Sequence, residues 1–150
     1  MHTVVMGTRA SRTFRVLWML EELGAPYEHV PARVRSEEVR ALNPSGKVPV
    51  LVVDDVAISD SIAILTYLGD FYGALTYPAG TLDRARQDAL THQILDEIES
   101  LLWAYARHSF VLPEEQRVPE IKPAMKWEYA RNLPRISCLL YSSPSPRDCN

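Results

Sequence analysis

The chain has 150 residues, 16 Lys and Arg against 19 Asp and Glu, a formal charge of −3 and 47% apolar residues. That length holds one ordinary domain or two small ones, and the slightly acidic balance argues against a phosphate-binding footprint of the nucleic-acid type. No apolar run approaches the roughly 20 residues of a membrane span. Residues 1–9 lack the apolar core of a secretory signal, and Cys138 and Cys149 make no disulfide framework, so a cytoplasmic protein is expected.

Thr3-Val4-Val5-Met6 reads as a short buried strand closed by Gly7. Thr8 to Arg12 is a polar loop. Thr13 to Leu23 reads as a helix, with Val16, Leu17, Leu20 and Leu23 on one stripe. Gly24 stops it, and Pro26 lies just beyond. Trp18 and Met19 widen the apolar face, so this helix is expected to be covered on more than one side. Tyr27 to Val30 fits a second strand. Ser36 N-caps a short helix to Leu42, with Glu37 and Glu38 in its first turn.

Asn43-Pro44 ends that helix, because the residue before a proline is pushed out of the α region. Gly46 permits a backbone angle that other residues avoid. Val48-Pro49 then opens the strand-like run Val50 to Val53. A proline at the mouth of a strand marks an edge or a tight turn, in some cases with a cis bond. In the cis form the Val48 amide and carbonyl point outward and can pair with an extended peptide. A plain polar turn before a strand is the competing reading.

Val50 to Val53 and Val56 to Ser59, separated by Asp54-Asp55, read as an antiparallel hairpin. Ser61 then caps a helix that runs to about Tyr72, with Ile62, Leu65 and Leu68 on one face. The order is β-α-β, a short helix, then β-β-α. A right-handed crossover joins the first two strands, which gives an α/β, thioredoxin-like domain over residues 1–74. Gly73 to Gly80 is a linker. Beyond it the pattern is helical: Leu90, Ile94, Ile98, Leu101, Leu102 and Tyr105 set one long helix from Thr81 to about Arg107. Val111 to Pro119 is a loop, and Pro123 opens a helix continuing to Leu133. Residues 81–136 are thus expected to form a partial all-α domain. Residues 137–150 have no period and read as a flexible tail or as foreign sequence joined to an interrupted helix.

Three stretches carry a family likeness. Ser11-Arg12-Thr13-Phe14-Arg15-Val16-Leu17-Trp18-Met19-Leu20-Glu21-Glu22-Leu23-Gly24 resembles the first helix of the soluble glutathione transferases. Asn43 to Leu51 resembles their glutathione-binding turn, and Ile58-Ser59-Asp60-Ser61-Ile62-Ala63-Ile64-Leu65-Thr66-Tyr67-Leu68 their third-helix entry. The likeness covers about residues 1–135. It implies a serine-using, bacterial-like transferase in which glutathione is a co-substrate, bound as the thiolate that attacks a small electrophile. A free thiol has a pKa near 8.5 and is only partly ionised at neutral pH, so the protein must supply a hydrogen-bond donor. The family uses Tyr, Ser or Cys after the first strand. Here the first tyrosine is Tyr27, no cysteine precedes Cys138, and Ser11 stands at the family's serine position, beside a helix N-terminus that favours an anion. A plain N-cap serine is the competing reading. Arg12 either adds positive potential or is simply solvated.

For the rest of glutathione, the resemblance implies that Val48, with Pro49 cis, pairs with the cysteinyl backbone. Asp60 faces the γ-glutamyl ammonium, and the Ser61 hydroxyl suits the γ-glutamyl carboxylate. Lys47 meets the glycyl carboxylate, with Asn43 nearby. Asp60 has a shorter reach than the Glu of many relatives. Helix capping is the competing reading for Asp60-Ser61, and an exposed turn lysine for Lys47. Trp103, Tyr105, Arg107 and His108 are candidates for the wall of an electrophile site between the domains. Core packing is the competing fate of the first two, solvent that of the last two. The expected partners are glutathione, a small electrophile and a second copy in a homodimer, with no metal, nucleic acid or membrane.

Two alternatives stand beside the transferase. One is a glutathione-dependent isomerase of the same family, although such isomerases usually carry Ser-Ser-Cys where this chain has Ser11-Arg12-Thr13. The other is a non-catalytic, transferase-like assembly module. The N-terminal half has no thiol, which argues against a disulfide oxidoreductase. Family members continue with more helices after the one ending near Arg135. The long helix is therefore expected to expose apolar surface.

Overall fold

The computed structural model describes residues 2–141. The chain divides into two units, Met1–Arg84 and Ala85–Asn150. The first contains β1 (Thr3–Met6), α1 (Thr13–Glu22), β2 (Glu28–Val30), α2 (Glu37–Leu42), β3 (Val50–Val53), β4 (Val56–Ser59) and α3 (Ser61–Tyr72). The strands form one sheet in the order β2-β1-β3-β4. β1 and β2 are parallel, with Val5 opposite His29. β3 is antiparallel to both neighbours, with Leu51 opposite Val5 on one side and Ile58 on the other. This is the thioredoxin-like arrangement that the element order predicts.

Successive strand residues point to opposite faces, and that alternation builds two cores. Val5 and Leu51 pack with Val16, Leu17 and Leu20 of α1 and with Ile64 and Leu68 of α3. Met6 and Val50 face the other way, onto Ala32 and Val39. The α1 stripe is the one expected from its spacing, and Met19 packs half-buried against the same core, but the Trp18 side of the helix is open. Trp18 is 58% exposed. Its indole N–H donates to Glu22 one turn along the same helix, so the polar end of the ring is satisfied without burial.

The start of α3 differs from expectation by one residue. Its N-cap is Asp60, whose Oδ1 accepts from the Ile62 and Ala63 amides at 2.9 and 3.1 Å. Ser61 is the first helical residue and is buried. Ser36 does occupy the α2 N-cap, but its side chain makes no capping bond.

The boundary between the units falls inside α4 (Leu82–Ile94), just after Arg84. The buried Arg84 guanidinium ties the first turn of this helix to unit 1. It donates to Asp70 Oδ1 at 2.5 Å, to Asp70 Oδ2 at 3.2 Å and to the Tyr77 carbonyl at 3.1 Å. The hydrogen bond from Arg84 holds the Asp70 carboxyl below the usual carboxylate range. A depressed carboxyl pKa stabilises the fold above the unfolded Asp value, and the contribution is lost as pH falls through the lower folded value. Removing Asp70 strands a buried cation, whereas removing Arg84 leaves only a half-exposed carboxylate. Asp70→Ala is therefore expected to lower Tm more than Arg84→Met does. The gap between wild type and Asp70→Ala should narrow in melts as pH is lowered past the ordinary aspartate value and through the depressed folded one.

In unit 2 the helix that starts as α4 continues through a π-turn (Leu95–Glu99), α5 (Ser100–Ala106) and a second π-turn (Arg107–Val111). The long helix expected over residues 81–107 is thus a succession of α and π segments over 82–111. Short 3₁₀ turns at Glu114–Gln116 and Pro119–Ile121 lead into α6 (Lys122–Tyr141). Helix α6 runs through Pro134, past the expected end at Leu133 and into the stretch read as aperiodic. Contacts on both sides of the proline hold it. Asn132 donates to the Glu97 carbonyl at 3.0 Å, and Arg135 pairs with the Glu97 carboxylate. Glu97 lies in the first π-turn, where the ordinary helical ladder is interrupted. Leu101 and Ile136 are the buried apolar side chains among the described residues of this unit, and Leu102 of the expected stripe is exposed. Residues 142–150 of the expected tail lie outside the described residues.

Candidate functional site

Gly7, just after β1, has φ +139°, an angle suited to glycine. A Cβ on it would lie 2.1 Å from Thr13 Oγ1 and 3.0 Å from Val48 Cβ. One missing side chain thereby lets the start of α1 and the turn before β3 meet at the end of β1. Ser11 lies in the loop beside this point. Its Oγ donates to the Thr8 carbonyl at 2.7 Å, accepts from the Thr13 amide at 3.2 Å and shares a 2.9 Å hydrogen bond with the Thr13 hydroxyl. The N-cap of α1 is Arg12, not the serine of the capping reading, and it makes no side-chain capping bond; Ser11, one residue earlier, still satisfies the Thr13 amide that opens the helix. The side chain is nevertheless only half-buried. Arg12 is exposed beside it.

The turn from Asn43 to Pro49 is braced from within. Asn43 is buried. It donates to the Lys47 carbonyl at 3.0 Å and accepts from the Ser45 amide and hydroxyl at 3.2 and 2.9 Å. Asn43 therefore shapes the turn. Gly46 has φ +68°, and its carbonyl accepts from the Arg35 amide at 2.8 Å. Lys47 is exposed at the turn. The Val48-Pro49 bond is cis. Among the described residues, neither the Val48 amide nor its carbonyl has a hydrogen-bond partner.

At the start of α3, Asp60 holds φ +75°, an uncommon angle for a residue with a side chain and one often found at ligand clamps. Arg15 Nη1 donates to Ser61 Oγ at 3.5 Å. The Arg15 charge is partly desolvated: burial first, then the neighbouring Arg12, lower its pKa, while Asp60 raises it. Arg15 thus faces Asp60 and Ser61 from α1, and sequence reasoning gave it no role. The available signal was a cation one turn after Ser11, directly before the apolar run Val16 to Leu20. A carboxylate, a hydroxyl and a guanidinium in one place suit the paired ammonium and carboxylate of an amino acid.

The four candidates in unit 2 have other settings. Trp103 is 39% exposed, against the core packing weighed for it. The Lys122 and Lys126 ammonium groups lie 5.5 and 5.6 Å from the centre of the Tyr105 ring. His108 Nδ1 accepts from the Val118 amide at 3.1 Å, and Arg107 is exposed. Among the described residues, no group of three or more His, Cys, Asp or Glu is arranged to hold a metal ion. A separate open groove of about 400 Å³ on α1 is lined by Arg9, Phe14, Leu17, Trp18, Glu21 and Tyr27. Neither Ser11 nor Ser61 borders it.

Residues 11–70 match the family model of the glutathione S-transferase N-terminal domain. Over 96 residues the chain is 35% identical to a maleylacetoacetate isomerase of Rhizobium meliloti (strain 1021), an alignment covering 60% of this chain and 45% of that relative. The theta class glutathione S-transferase from the citrus canker pathogen Xanthomonas axonopodis pv. citri, solved with glutathione bound, is similar with a TM-score of 0.76 and 25% identity. That likeness covers 96% of this chain and 72% of the other. The glutathione transferase URE2P8 from Phanerochaete chrysosporium, solved with oxidized glutathione, shares the fold with a TM-score of 0.81 at 23% identity, covering 97% of this chain and 70% of the other. The thioredoxin-like unit is thus of the glutathione S-transferase N-terminal type. The match to that family model spans residues 11–70. The chain spans less than half the length of the isomerase that it matches.

Proposed function

We propose that this protein is a glutathione transferase of the serine type. The observation that carries the proposal is the half-buried Ser11 hydroxyl at the start of α1, beside the Gly7–Val48 approach. Glutathione lies along the cis turn, where the open Val48 amide and carbonyl pair with its cysteinyl backbone as a short strand does. Its γ-glutamyl carboxylate takes the Ser61 hydroxyl and Arg15, its ammonium faces Asp60, and its glycyl carboxylate faces Lys47. Ser11 donates to the thiolate sulfur. The sulfur electron pair then forms the bond to the electrophilic carbon, the bond to a leaving group such as halide breaks with its electrons, and the thiol proton has gone to solvent.

Calorimetry tests the binding half. The wild-type chain should bind glutathione, and Ser61→Ala or Arg15→Met should weaken it by roughly tenfold or more, the cost of a lost hydrogen bond to a charged group. A folded wild-type chain that does not bind would end the transferase proposal. The identity to a maleylacetoacetate isomerase favours a second reading, isomerisation with glutathione as cofactor. The Ser11-Arg12-Thr13 run weighs against it. Turnover of maleylacetoacetate but not of an aryl halide would select the isomerase, and binding without either turnover would leave the assembly module.

In the same proposal the chain works as a cytoplasmic homodimer. Val56 on β4 and Phe71 on α3 are exposed apolar side chains available to a second copy, and sedimentation that returns a monomer would remove the dimer. Among the described residues no helix is long and apolar enough to cross a membrane.

A further inference from the structure

The hydrogen bonds of Ser11 have directions that its neighbours dictate. A serine hydroxyl has one proton and two lone pairs. The Thr8 carbonyl 2.7 Å away can only accept, so it takes the Ser11 proton. The Thr13 amide 3.2 Å away can only donate, so it occupies one lone pair. The remaining 2.9 Å contact joins two hydroxyls, and with the Ser11 proton already placed, Thr13 must be its donor.

Thr13 is fully buried, and its hydroxyl has no other hydrogen-bond partner among the described residues. The space for that hydroxyl exists because residue 7 is glycine, whose Cβ would fall 2.1 Å from Thr13 Oγ1. Burial, the single partner and the cleared space all point the Thr13 proton at Ser11 Oγ.

We propose that Thr13 is a positioning residue for the thiolate donor: its hydroxyl fills the second lone pair of Ser11 and leaves the Ser11 proton able to swing from the Thr8 carbonyl to a thiolate sulfur. This rests on the assignment of Ser11 as that donor. Two effects follow when glutathione is bound. The Ser11 hydroxyl cannot turn its proton toward Thr13, because that direction already carries a proton. A hydroxyl that accepts a hydrogen bond is also a stronger donor, by an estimated 10–30% per bond. Applied to a hydrogen bond to a charged sulfur, that fraction is worth about 0.1 to 0.7 in the thiol pKa.

The test is the pKa of the glutathione thiol bound to the full chain, read from the ultraviolet absorbance of the thiolate across pH. Ser11→Ala sets the reference and should raise that pKa. Thr13→Val removes the hydroxyl while keeping the branched shape. It should raise the pKa by about 0.1 to 0.7, and Thr13→Ser should restore the wild-type value. In a Ser11→Ala background, Thr13→Val should move the bound thiol no further, whereas a purely structural role would still show. If Thr13→Val does not fold, the Thr13→Ala and Thr13→Ser pair is read in its place. No rise with Ser11→Ala would remove the donor assignment itself. A rise with Ser11→Ala but none with the folded Thr13 variant would overturn the role of Thr13 and leave Ser11 standing.

Discussion

Ser11→Ala is expected to lower kcat/KM toward an aryl halide by roughly 10²- to 10³-fold near neutral pH, the size of effect seen when one preorganised donor to a developing anion is removed. Glutathione affinity should change far less, because the proposed contacts at Val48, Ser61, Arg15 and Lys47 are untouched. The loss should also depend on pH. Without the donor, the bound thiol ionises closer to its free value near 8.5, so the deficit is largest near neutrality and shrinks in alkaline buffer. Ser11 also accepts the Thr13 amide, and the variant should lose about 1 kcal/mol of stability with that hydrogen bond. The pH profile separates the two roles. A variant that melts lower but keeps its kcat/KM and its pH profile would make Ser11 a capping residue and nothing more.

Gly7→Ala is expected to have the largest effect on stability. Its Cβ would sit 2.1 Å from Thr13 Oγ1, far inside contact distance, and 3.0 Å from Val48 Cβ. The backbone angle of +139° adds strain for any residue with a side chain. Overpacking and strain together suggest a loss of roughly 2–6 kcal/mol, measured as a fall in urea midpoint. Glutathione binding should fall as well, because the clash pushes α1 and the cis turn apart. Gly24→Ala is the control: its φ is +61° but nothing lies within 4 Å of the added Cβ, so only the backbone cost of about 1 to 2 kcal/mol should appear. Equal losses at the two glycines would mean that the approach of Thr13 and Val48 to Gly7 does not matter.

The legible parts of the chain were those with a local physical signature. The 3.6-residue stripe of Val16, Leu17 and Leu20 gave α1 its buried face, and the Asp54-Asp55 turn gave the β3-β4 hairpin. Positions whose meaning depends on distant residues were not legible. Gly7 looked like the end of a strand, since only the folded chain brings Thr13 and Val48 against it. Arg15 was read as one letter of a helix motif, because Ser61 lies 46 residues away. Asp60 and Ser61 are both good caps, and composition does not choose between them; the positive φ of Asp60 does. Helix α6 outran its expected end because Asn132 and Arg135 hold the segment around Pro134 to Glu97. Its own spacing carried no sign of that support.

The chain has three tryptophans, and Trp18 is the one in unit 1. Trp103 and Trp127 both belong to unit 2. Trp18 stands in water on α1 with its indole anchored to Glu22, about two helical turns from Ser11. Once phenylalanine replaces the other two, every photon of indole emission comes from the helix that begins beside Ser11. The fold thus carries a built-in optical gauge, able to time the arrival of a ligand at that helix without an added dye.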